Sequence, residues 1–197
     1  NIVAFQNKGI STVLFNSRVQ ITPSDNIPIE IANSGKVDGY RYISDKVGCF
    51  NKYSICESPN GIYFIDDYNK SLYAFNGELN NISDYKGFHS FMRNNCKLSI
   101  WNPTDFNNVV TYRDPINSEI MFIYNDKCLV YNETLGEFSS FYSYDKVPFV
   151  FTLNDNVILA KDGKLHIKNG GDTYGEFFGK TEDSYVEYIV NDNPTYD

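Results

Sequence analysis

Short runs of β-branched and aromatic residues alternate with polar turns along most of the chain. Four pairs of such runs flank a short polar turn, and they cover residues 2–5 with 12–15, 62–65 with 72–75, 120–124 with 128–131, and 157–160 with 165–167. β-Branched and aromatic side chains suit a half-buried pleated surface, and Asn, Asp and Gly tolerate the left-handed backbone of a tight turn. The pattern therefore predicts four antiparallel β-hairpins.

The hairpins belong to a longer repeat. A further strand-like run precedes each of the three later hairpins, at residues 53–56, 109–113 and 149–153. A fourth run follows two of these hairpins, at residues 138–144 and 185–190. The repeating unit is therefore predicted to have four antiparallel strands. Successive units start 56 and 40 residues apart, and a β-propeller blade typically has roughly 40 to 50 residues.

The longer of the two intervals contains an insertion. Within residues 83–95, Phe88, Phe91 and Met92 have the i, i+3, i+4 spacing that places apolar side chains on one face of a helix. One short amphipathic helix is therefore predicted in an otherwise β-rich chain.

A four-stranded blade cannot bury both of its faces alone, so neighbouring blades must cover them. We therefore predict an all-β fold of β-propeller-like repeats of four-stranded antiparallel blades, with one domain over residues 1–197 and blade units at about residues 1–30, 53–100, 109–145 and 149–191. The first unit lacks a first strand and the chain opens at Asn1 rather than Met, so we expect a fragment of a larger propeller in a longer chain. A β-sandwich or an irregular stack of sheets is the alternative, because the strand count fits both.

The charge balance limits the classes of partner. Asp and Glu outnumber Lys and Arg by 25 to 17, which gives a formal net charge of −8, so no net field attracts nucleic acid or an anionic membrane surface. The sequence has no run of 18 apolar residues, which a membrane span would need. We therefore expect no nucleic-acid partner and no membrane partner.

The aromatic content is high. The chain has 16 Tyr and 15 Phe, which supply enough apolar area for a packed interior. The excess also favours a protein interface or a sugar-binding surface, because the tyrosine ring is large, rigid and amphipathic.

The cysteines indicate no metal or redox site. Cys49, Cys56, Cys96 and Cys128 form no CxxC pair, so the chain has neither zinc-ligand spacing nor a redox motif. Cys56 and Cys128 lie in apolar runs, and buried free thiols are therefore predicted. We expect no metal and no cofactor.

Three acids are the strongest candidates for chemistry. Asp66, Asp67 and Asp114 could provide the two carboxyl groups of glycoside hydrolysis, one as proton donor and one as nucleophile or base. All three lie at strand ends or in turns, however, where Asp is favoured because its side chain bonds nearby backbone amides. A calcium loop would need an oxygen ligand where Tyr68 stands. We therefore predict no catalytic residue and no metal ligand.

Histidine and serine give no stronger candidate. His89 lies in the predicted helix and His166 alternates with apolar neighbours in a predicted strand, so both are predicted to be structural or solvent-facing. No serine stands in a G-x-S-x-G turn, the position of a hydrolase nucleophile. The chain is therefore predicted not to be an enzyme.

Several of these segments resemble the propeller-like tail proteins of crAss-like short-tailed bacteriophages, a group that includes the stabilisation, tail-hub and muzzle proteins. The resemblance covers about residues 30–145 and rests on segments at residues 31–39, 41–44, 54–66, 72–77, 87–90, 129–133 and 138–142. These are blade-type segments, and they identify no active site.

The resemblance implies a noncatalytic virion structural protein that is made in the host bacterial cytoplasm and assembles as a ring at the tail, beneath the portal. The expected partners are other tail or portal proteins and further copies of the chain. Two alternatives stay open on the residues: a carbohydrate-binding module that recognises a bacterial surface glycan through exposed tyrosines, and a glycan-degrading enzyme that uses Asp66 or Asp114.

Overall fold

A computed structural model describes residues 2–15, 19–21, 29–31, 37–95, 109–124, 127–142, 147, 149–181 and 183. The strands in these ranges are β1 (Ile2–Gln6), β2 (Gly9–Phe15), β3 (Val19–Ile21), β4 (Ile29–Ile31), β5 (Val37–Ser44), β6 (Cys56–Ser58), β7 (Gly61–Asp66), β8 (Ser71–Phe75), β9 (Leu79–Asn81), β10 (Val109–Asp114), β11 (Glu119–Tyr124), β12 (Lys127–Asn132), β13 (Glu137–Tyr142), β14 (Phe149–Leu153), β15 (Asn156–Lys161), β16 (Lys164–Ile167), β17 (Glu176–Phe177) and β18 (Lys180–Thr181). Two 3₁₀ helices, Lys52–Ser54 and Ile82–Gly87, and one α-helix, α1 (Phe88–Asn95), complete the elements.

Most of the strands form four successive antiparallel sheets. Sheet I has the order β1-β2-β5, sheet II β6-β7-β8-β9, sheet III β10-β11-β12-β13 and sheet IV β14-β15-β16, and β3 with β4 and β17 with β18 form two smaller pairs. Sheets II, III and IV are simple meanders, because neighbours in the sheet are also neighbours in sequence. The all-β prediction is confirmed. No closed ring of sheets is seen among the described residues, and the propeller arrangement stays a prediction.

All four predicted hairpins are confirmed, with the registers Ile2↔Val13, Ile62↔Phe75, Ile120↔Tyr131 and Ile158↔Ile167. The turn residues explain one of them. Asp162 and Gly163 between β15 and β16 have φ angles of 51° and 73°, and a two-residue turn with positive φ at both positions matches the twist of the flanking strands.

The strand predicted at residues 53–56 is wrong in its first half. Asn51 begins a 3₁₀ turn instead: its side chain accepts a hydrogen bond from the Tyr53 N–H at 2.9 Å, and its carbonyl accepts one from Ser54 Oγ at 2.8 Å. Because these local bonds satisfy the backbone, the strand begins only at Cys56.

Two further predictions are changed by the structure. The predicted helix is present but shorter, because residues 82–87 form a 3₁₀ helix before α1. Sheet I gains β5, which pairs with β2 and extends this sheet to Ser44, beyond the predicted limit near residue 30. The strand predicted at residues 185–190 lies outside the described residues, as do Cys96 and residues 143–144 at the end of the predicted fourth strand of sheet III.

The four sheets stack in series because alternate residues of a strand face opposite neighbours. In β7, the Phe64 ring lies 5.0 Å from Phe5 of sheet I, whereas the adjacent Tyr63 lies 5.7 Å from Tyr131 of sheet III. In β11, Ile120 joins the apolar cluster with sheet II and Met121 joins the one with sheet IV. Each inner sheet is therefore covered on both faces, as predicted for stacked units.

The first strands of successive sheets lie next to one another. β10 of sheet III contacts β6 of sheet II on one side and β14 of sheet IV on the other. The first turns of the same three sheets also converge on one cleft of about 420 Å³, lined by Glu57, Ser58, Pro59, Arg113, Pro115, Thr152 and Asp155. The first strands thus mark one common side of the stack.

Candidate functional site

A buried polar contact lies at each junction between successive sheets. At the junction of sheets I and II, Asp66 ends β7 and is 1% exposed. Its Oδ1 accepts hydrogen bonds from the Tyr68 and Asn69 N–H groups, both at 3.0 Å, and its Oδ2 accepts from Asn69 Nδ2 at 2.6 Å and from the Gly48 N–H at 3.3 Å. One carboxylate therefore closes the turn of sheet II and holds the segment that arrives from sheet I.

Gly48 is the point of closest approach at this junction. A Cβ atom at Gly48 would lie 2.3 Å from the carbonyl oxygen of Gln6 and 2.6 Å from the backbone of Asn7 and Lys8. The next residue, Cys49, donates its N–H to the same Gln6 oxygen at 2.8 Å. Only glycine leaves room for this backbone to lie against the first hairpin turn.

Asp67 lies at the same junction but is differently placed. It is 6% exposed, and neither carboxylate oxygen has a hydrogen bond of good geometry. Burial, with a smaller contribution from the charge of Asp66, raises the pKa of Asp67 to about 7, although the nearby N–H groups of Asn51 and Phe50 oppose the shift. This carboxyl group takes up a proton near neutral pH.

At the junction of sheets II and III the polar group is Glu133, in the turn after β12. Its side chain is 1% exposed and accepts a hydrogen bond from Arg113 Nε at 2.9 Å within sheet III. Ser58 Oγ, at the end of β6 in sheet II, donates to the other carboxylate oxygen of Glu133. The Glu133 carboxylate is therefore neutralised by Arg113 within sheet III and is hydrogen-bonded to Ser58 of sheet II.

At the junction of sheets III and IV the polar group is Asp114, which ends β10. It accepts hydrogen bonds from the Ile116 N–H at 2.9 Å, the Asn117 N–H at 3.4 Å and Asn117 Nδ2 at 3.0 Å. Lys168, directly after β16, forms an ion pair with its Oδ2. Burial alone would raise the pKa of Asp114. The hydrogen bond from Lys168 and its positive charge, together with the hydrogen bonds from Asn117 and Ile116, outweigh burial and hold this pKa below its ordinary value.

The inserted helix adds an aromatic contact between sheets II and III. Phe88 of α1 lies 4.2 Å from Phe138 of β13, and Phe91 lies 5.1 Å from Phe141, measured between ring centroids. Phe141 is nevertheless exposed. The insertion therefore covers part of the last strand of sheet III and leaves an aromatic surface there.

The three candidate acids lie at two different junctions, Asp66 and Asp67 between sheets I and II and Asp114 between sheets III and IV. Asp66 and Asp114 each use their carboxylate oxygens in four hydrogen bonds, and a lowered pKa at Asp114 is the opposite of what a general acid needs. Asp67 has a raised pKa but is almost fully buried. The predicted role of Asp in turns is confirmed for Asp66 and Asp114.

The two histidines lie on α1 and β16, and the three cysteines in the described residues are buried. His89 is exposed, near Asp84 and Arg93 on the helical insertion, and His166 contacts the Phe178 ring. Burial raises the pKa of each of three free thiols to about 12, which confirms the prediction of buried free cysteines for Cys49, Cys56 and Cys128.

The described residues offer neither a metal-binding cluster nor a membrane-spanning helix. They contain no group of three or more His, Cys, Asp or Glu side chains that could hold a metal ion. No helix in these ranges has the length and apolar character that crossing a bilayer requires.

Gly48, Glu133 and Lys168 were not predicted from the sequence. Each acts on a partner 18 or more residues away, and none belongs to a recognisable motif. A partial signal exists in the shared pattern of Asp66 with Asn69 and Asp114 with Asn117, where an Asp ends a strand and an Asn follows three residues later.

A sequence model of the crassvirus muzzle protein family matches residues 1–163. The chain belongs to this family. It is 44% identical over 190 residues to a muzzle protein of Bacteroides phage crAss001, and the aligned region covers 96% of this chain and 14% of that relative. The chain therefore spans about a seventh of the length of the curated muzzle protein that it matches.

Membership in the muzzle protein family confirms the resemblance to crAss-like phage tail proteins. Crassvirus muzzle proteins are tail-associated components of the virion, so the predicted virion location is confirmed as well. In the described part of this muzzle protein segment, buried polar contacts join each sheet to the next.

Proposed function

We propose that this segment forms propeller-like blades of a noncatalytic structural protein in the phage tail, where it acts through protein–protein contacts. The observation that carries the proposal is the series of first strands: β10 lies between β6 and β14, and the first turns of sheets II, III and IV meet at one cleft. Sheets arranged around a central axis bring their first strands together in this way. Two parallel layers of a β-sandwich would not bring the first strands of three successive sheets together.

The proposed blade units follow the sheets. Sheets II, III and IV lie in the proposed units at about residues 53–100, 109–145 and 149–191, respectively. The first unit is proposed at about residues 1–30, and it extends through β5 when sheet I is taken as a blade. Each unit shields the apolar face of the next, which is what a blade requires of its neighbours.

The absence of catalysis is part of the proposal. It is supported by the use of Asp66 and Asp114 as hydrogen-bond acceptors within the fold and by the burial of Asp67. A hydrolytic site would need two accessible carboxyl groups facing one substrate.

The proposed partners are other tail or portal proteins and further copies of the chain. Exposed aromatic rings support protein contacts, since Tyr and Phe are enriched at the centres of interfaces; they include Tyr40, Tyr42, Phe141 and Phe149. Tyr40 and Tyr42 stand edge to face, with an interplanar angle of 86°, and do not make the flat platform on which a sugar ring stacks. We therefore favour protein contacts over glycan binding.

Cross-linking mass spectrometry on purified phage particles tests the proposal. Exposed lysines such as Lys52, Lys70 and Lys164 should form cross-links to other tail or portal proteins. A matched sample of dissociated particles should lose those links and keep the ones within the chain. Failure to detect this segment in purified particles, or links to no other virion protein, would overturn the structural role.

A density map of the tail tests the architecture. The proposal predicts sheets II, III and IV arranged as sectors around one axis, with β6, β10 and β14 nearest to it. A two-layer sandwich in that density would contradict the propeller arrangement while leaving the tail location untouched.

A further inference from the structure

The turns of the stacked sheets lie at two ends, because each meander reverses direction at every turn. The first turns of sheets II, III and IV meet at one cleft, so they lie at the same end as the third turns of sheets II and III. The second turns, β7–β8, β11–β12 and β15–β16, lie at the opposite end. Gly48 lies against both Asp66 and the β1–β2 turn, so that turn and the segment after β5 belong to this second end.

The end of the first turns is acidic. Among the described residues of its turns, the exposed charged side chains are all carboxylates: Glu57, Glu78, Glu137 and Asp155. The cations of these turns are Arg113 and Lys168, and each is paired with a carboxylate that is only 1% or 2% exposed. The exposed charge of these turns is therefore of one sign.

The end of the second turns has the opposite charge. Among its described residues, two exposed aspartates, Asp45 and Asp162, stand among six exposed lysines: Lys8, Lys46, Lys52, Lys70, Lys127 and Lys164. We call this set of lysines and aspartates the lysine end. It presents six positive charges against two negative ones, in a chain whose formal net charge is −8.

Contacts of the fold position these lysines. The Lys46 carbonyl accepts a hydrogen bond from Asn69 Nδ2 at 3.0 Å, and Lys8 Nζ lies 4.2 Å from the centre of the Tyr68 ring. Both contacts cross from sheet I to the β7–β8 turn of sheet II. The lysine end is therefore built on the same turns that join these two sheets.

The chain joins its own sheets by a different chemistry. At each internal junction the polar group is a carboxylate that is buried and hydrogen-bonded, namely Asp66, Glu133 or Asp114. Exposed charges contribute little to holding a fold together, whereas an exposed surface of one predominant sign steers and orients the docking of a surface of opposite potential. The contrast favours a separate acidic protein over another part of the same polypeptide.

The lysine end fits a protein surface better than it fits nucleic acid. Asp45 and Asp162 stand among the lysines, where a continuous phosphate backbone would meet them. Two exposed rings of this end, Tyr53 and Tyr68, each have a lysine ammonium over the ring, at 4.8 and 4.2 Å from its centre. They therefore do not form the open platform on which bases stack.

We propose that the lysine end binds an acidic surface of a neighbouring virion protein. This inference rests on the protein–protein contacts of the proposed function and adds which end meets the partner and what charge the partner presents. Stacked sheets lie roughly 10 Å apart, so four sheets spread these charges over roughly 30 Å. Because the charges are exposed, binding weakens as the salt concentration rises.

Zero-length carbodiimide coupling in purified phage particles tests the proposal, because it joins a lysine amine only to a carboxyl group in contact with it. Lysines of the lysine end should couple to Asp or Glu residues of another virion protein. Coupling only to carboxyl groups of the same polypeptide, or no coupling at this end, would overturn the proposal. The longer amine-to-amine cross-links that test the proposed function would remain, so the two proposals fail separately.

Charge reversal tests the contact in solution, with the full-length protein and the partner that the coupling identifies. Lys70→Glu with Lys164→Glu should weaken binding by roughly tenfold or more. Wild-type binding should weaken between about 50 and about 300 mM salt. Arg41→Glu is the matched control, because Arg41 is exposed but lies within β5 rather than at a turn. An unchanged affinity in the double variant, or an equal loss in the control, would contradict the assignment.

Duplex DNA is the probe for the alternative partner. A duplex of about 30 base pairs should not bind the full-length protein at about 150 mM salt. Binding that the double variant loses would show that the lysine end takes nucleic acid, and would overturn the proposal. Circular dichroism checks that each variant is folded, and Lys8→Glu with Lys46→Glu, at the same end, replaces a double variant that is not.

Discussion

Lys168 and Asp114 form an ion pair that joins sheet IV to sheet III, with side chains only 8% and 2% exposed. The two residues are 54 positions apart in sequence. Lys168 continues directly from β16, and its N–H donates to the Val157 carbonyl of β15 at 2.8 Å. The cation is therefore held by the fold of sheet IV against a carboxylate that already closes a turn of sheet III.

Removal of Lys168 alone should be strongly destabilising. Lys168→Met leaves the Asp114 carboxylate buried without its cation, and an uncompensated buried charge typically costs about 3 to 5 kcal/mol of unfolding free energy. The double variant with Asp114→Asn should recover part of the loss, because no charge is left. Urea unfolding at pH 7 measures both, with the exposed Lys164→Met as control. A double variant no more stable than the single one would show that charge is not the cause.

The same ion pair should make the protein sensitive to acid. The pKa of Asp114 is lowered in the folded state from 3.8, so the pair stabilises the fold above that pH and its contribution is lost as the pH falls through the folded value. Lys168→Met should therefore lose less stability than wild type between pH 5 and pH 3, as measured by urea unfolding at each pH. An equal loss in both proteins would contradict this role.

Asp67 should have the opposite effect on the pH dependence. Its pKa is raised from 3.8 to about 7, so the folded state holds the proton more tightly than the unfolded state. The stability linked to this proton is complete below pH 3.8 and is lost as the pH rises towards 7. Asp67→Asn should flatten the stability profile over this range, and Asp45→Asn, at an exposed position, should not. An unchanged slope in Asp67→Asn would refute the assignment.

Gly48 should tolerate no side chain. The added Cβ of Gly48→Ala would meet backbone atoms of the first hairpin turn at 2.3 to 2.6 Å, and forced displacement in a packed region costs about 1 to 3 kcal/mol. Gly39→Ala is the matched control, because nothing lies within 4 Å of its added Cβ. Thermal unfolding should show a lower midpoint for Gly48→Ala and an unchanged or slightly higher one for Gly39→Ala. Equal midpoints would mean that the turn can move.

Phe88 should hold α1 to sheet III. Phe88→Ala removes the ring that lies 4.2 Å from Phe138, and loss of a partly buried aromatic contact of this kind costs on the order of 1 to 2 kcal/mol. Hydrogen exchange should become faster in α1 and stay unchanged in β14 and β15 of sheet IV. Uniformly faster exchange in both regions would indicate a global loss of stability instead.

The hairpins follow from local sequence, because the residues that make them are close together in the chain. Asp162 and Gly163 accept positive φ angles, and the runs on either side alternate between faces, so the register follows from local chemistry. The helical insertion was also predictable, from Phe88, Phe91 and Met92. The strand predicted at residue 53 failed for a local reason too, since Asn51 offers its own hydrogen bonds to the backbone.

Which buried polar groups join the sheets depends on how the whole chain folds. Ser58 and Glu133 are 75 residues apart, and Asp114 and Lys168 are 54 apart, so no local spacing could connect them. The pairing of β2 with β5 could not be predicted for the same reason, because the two strands are separated by a long segment of the chain. These contacts depend on which sheet faces stack together, and that choice is made by apolar area summed over whole sheets rather than by any short run of residues.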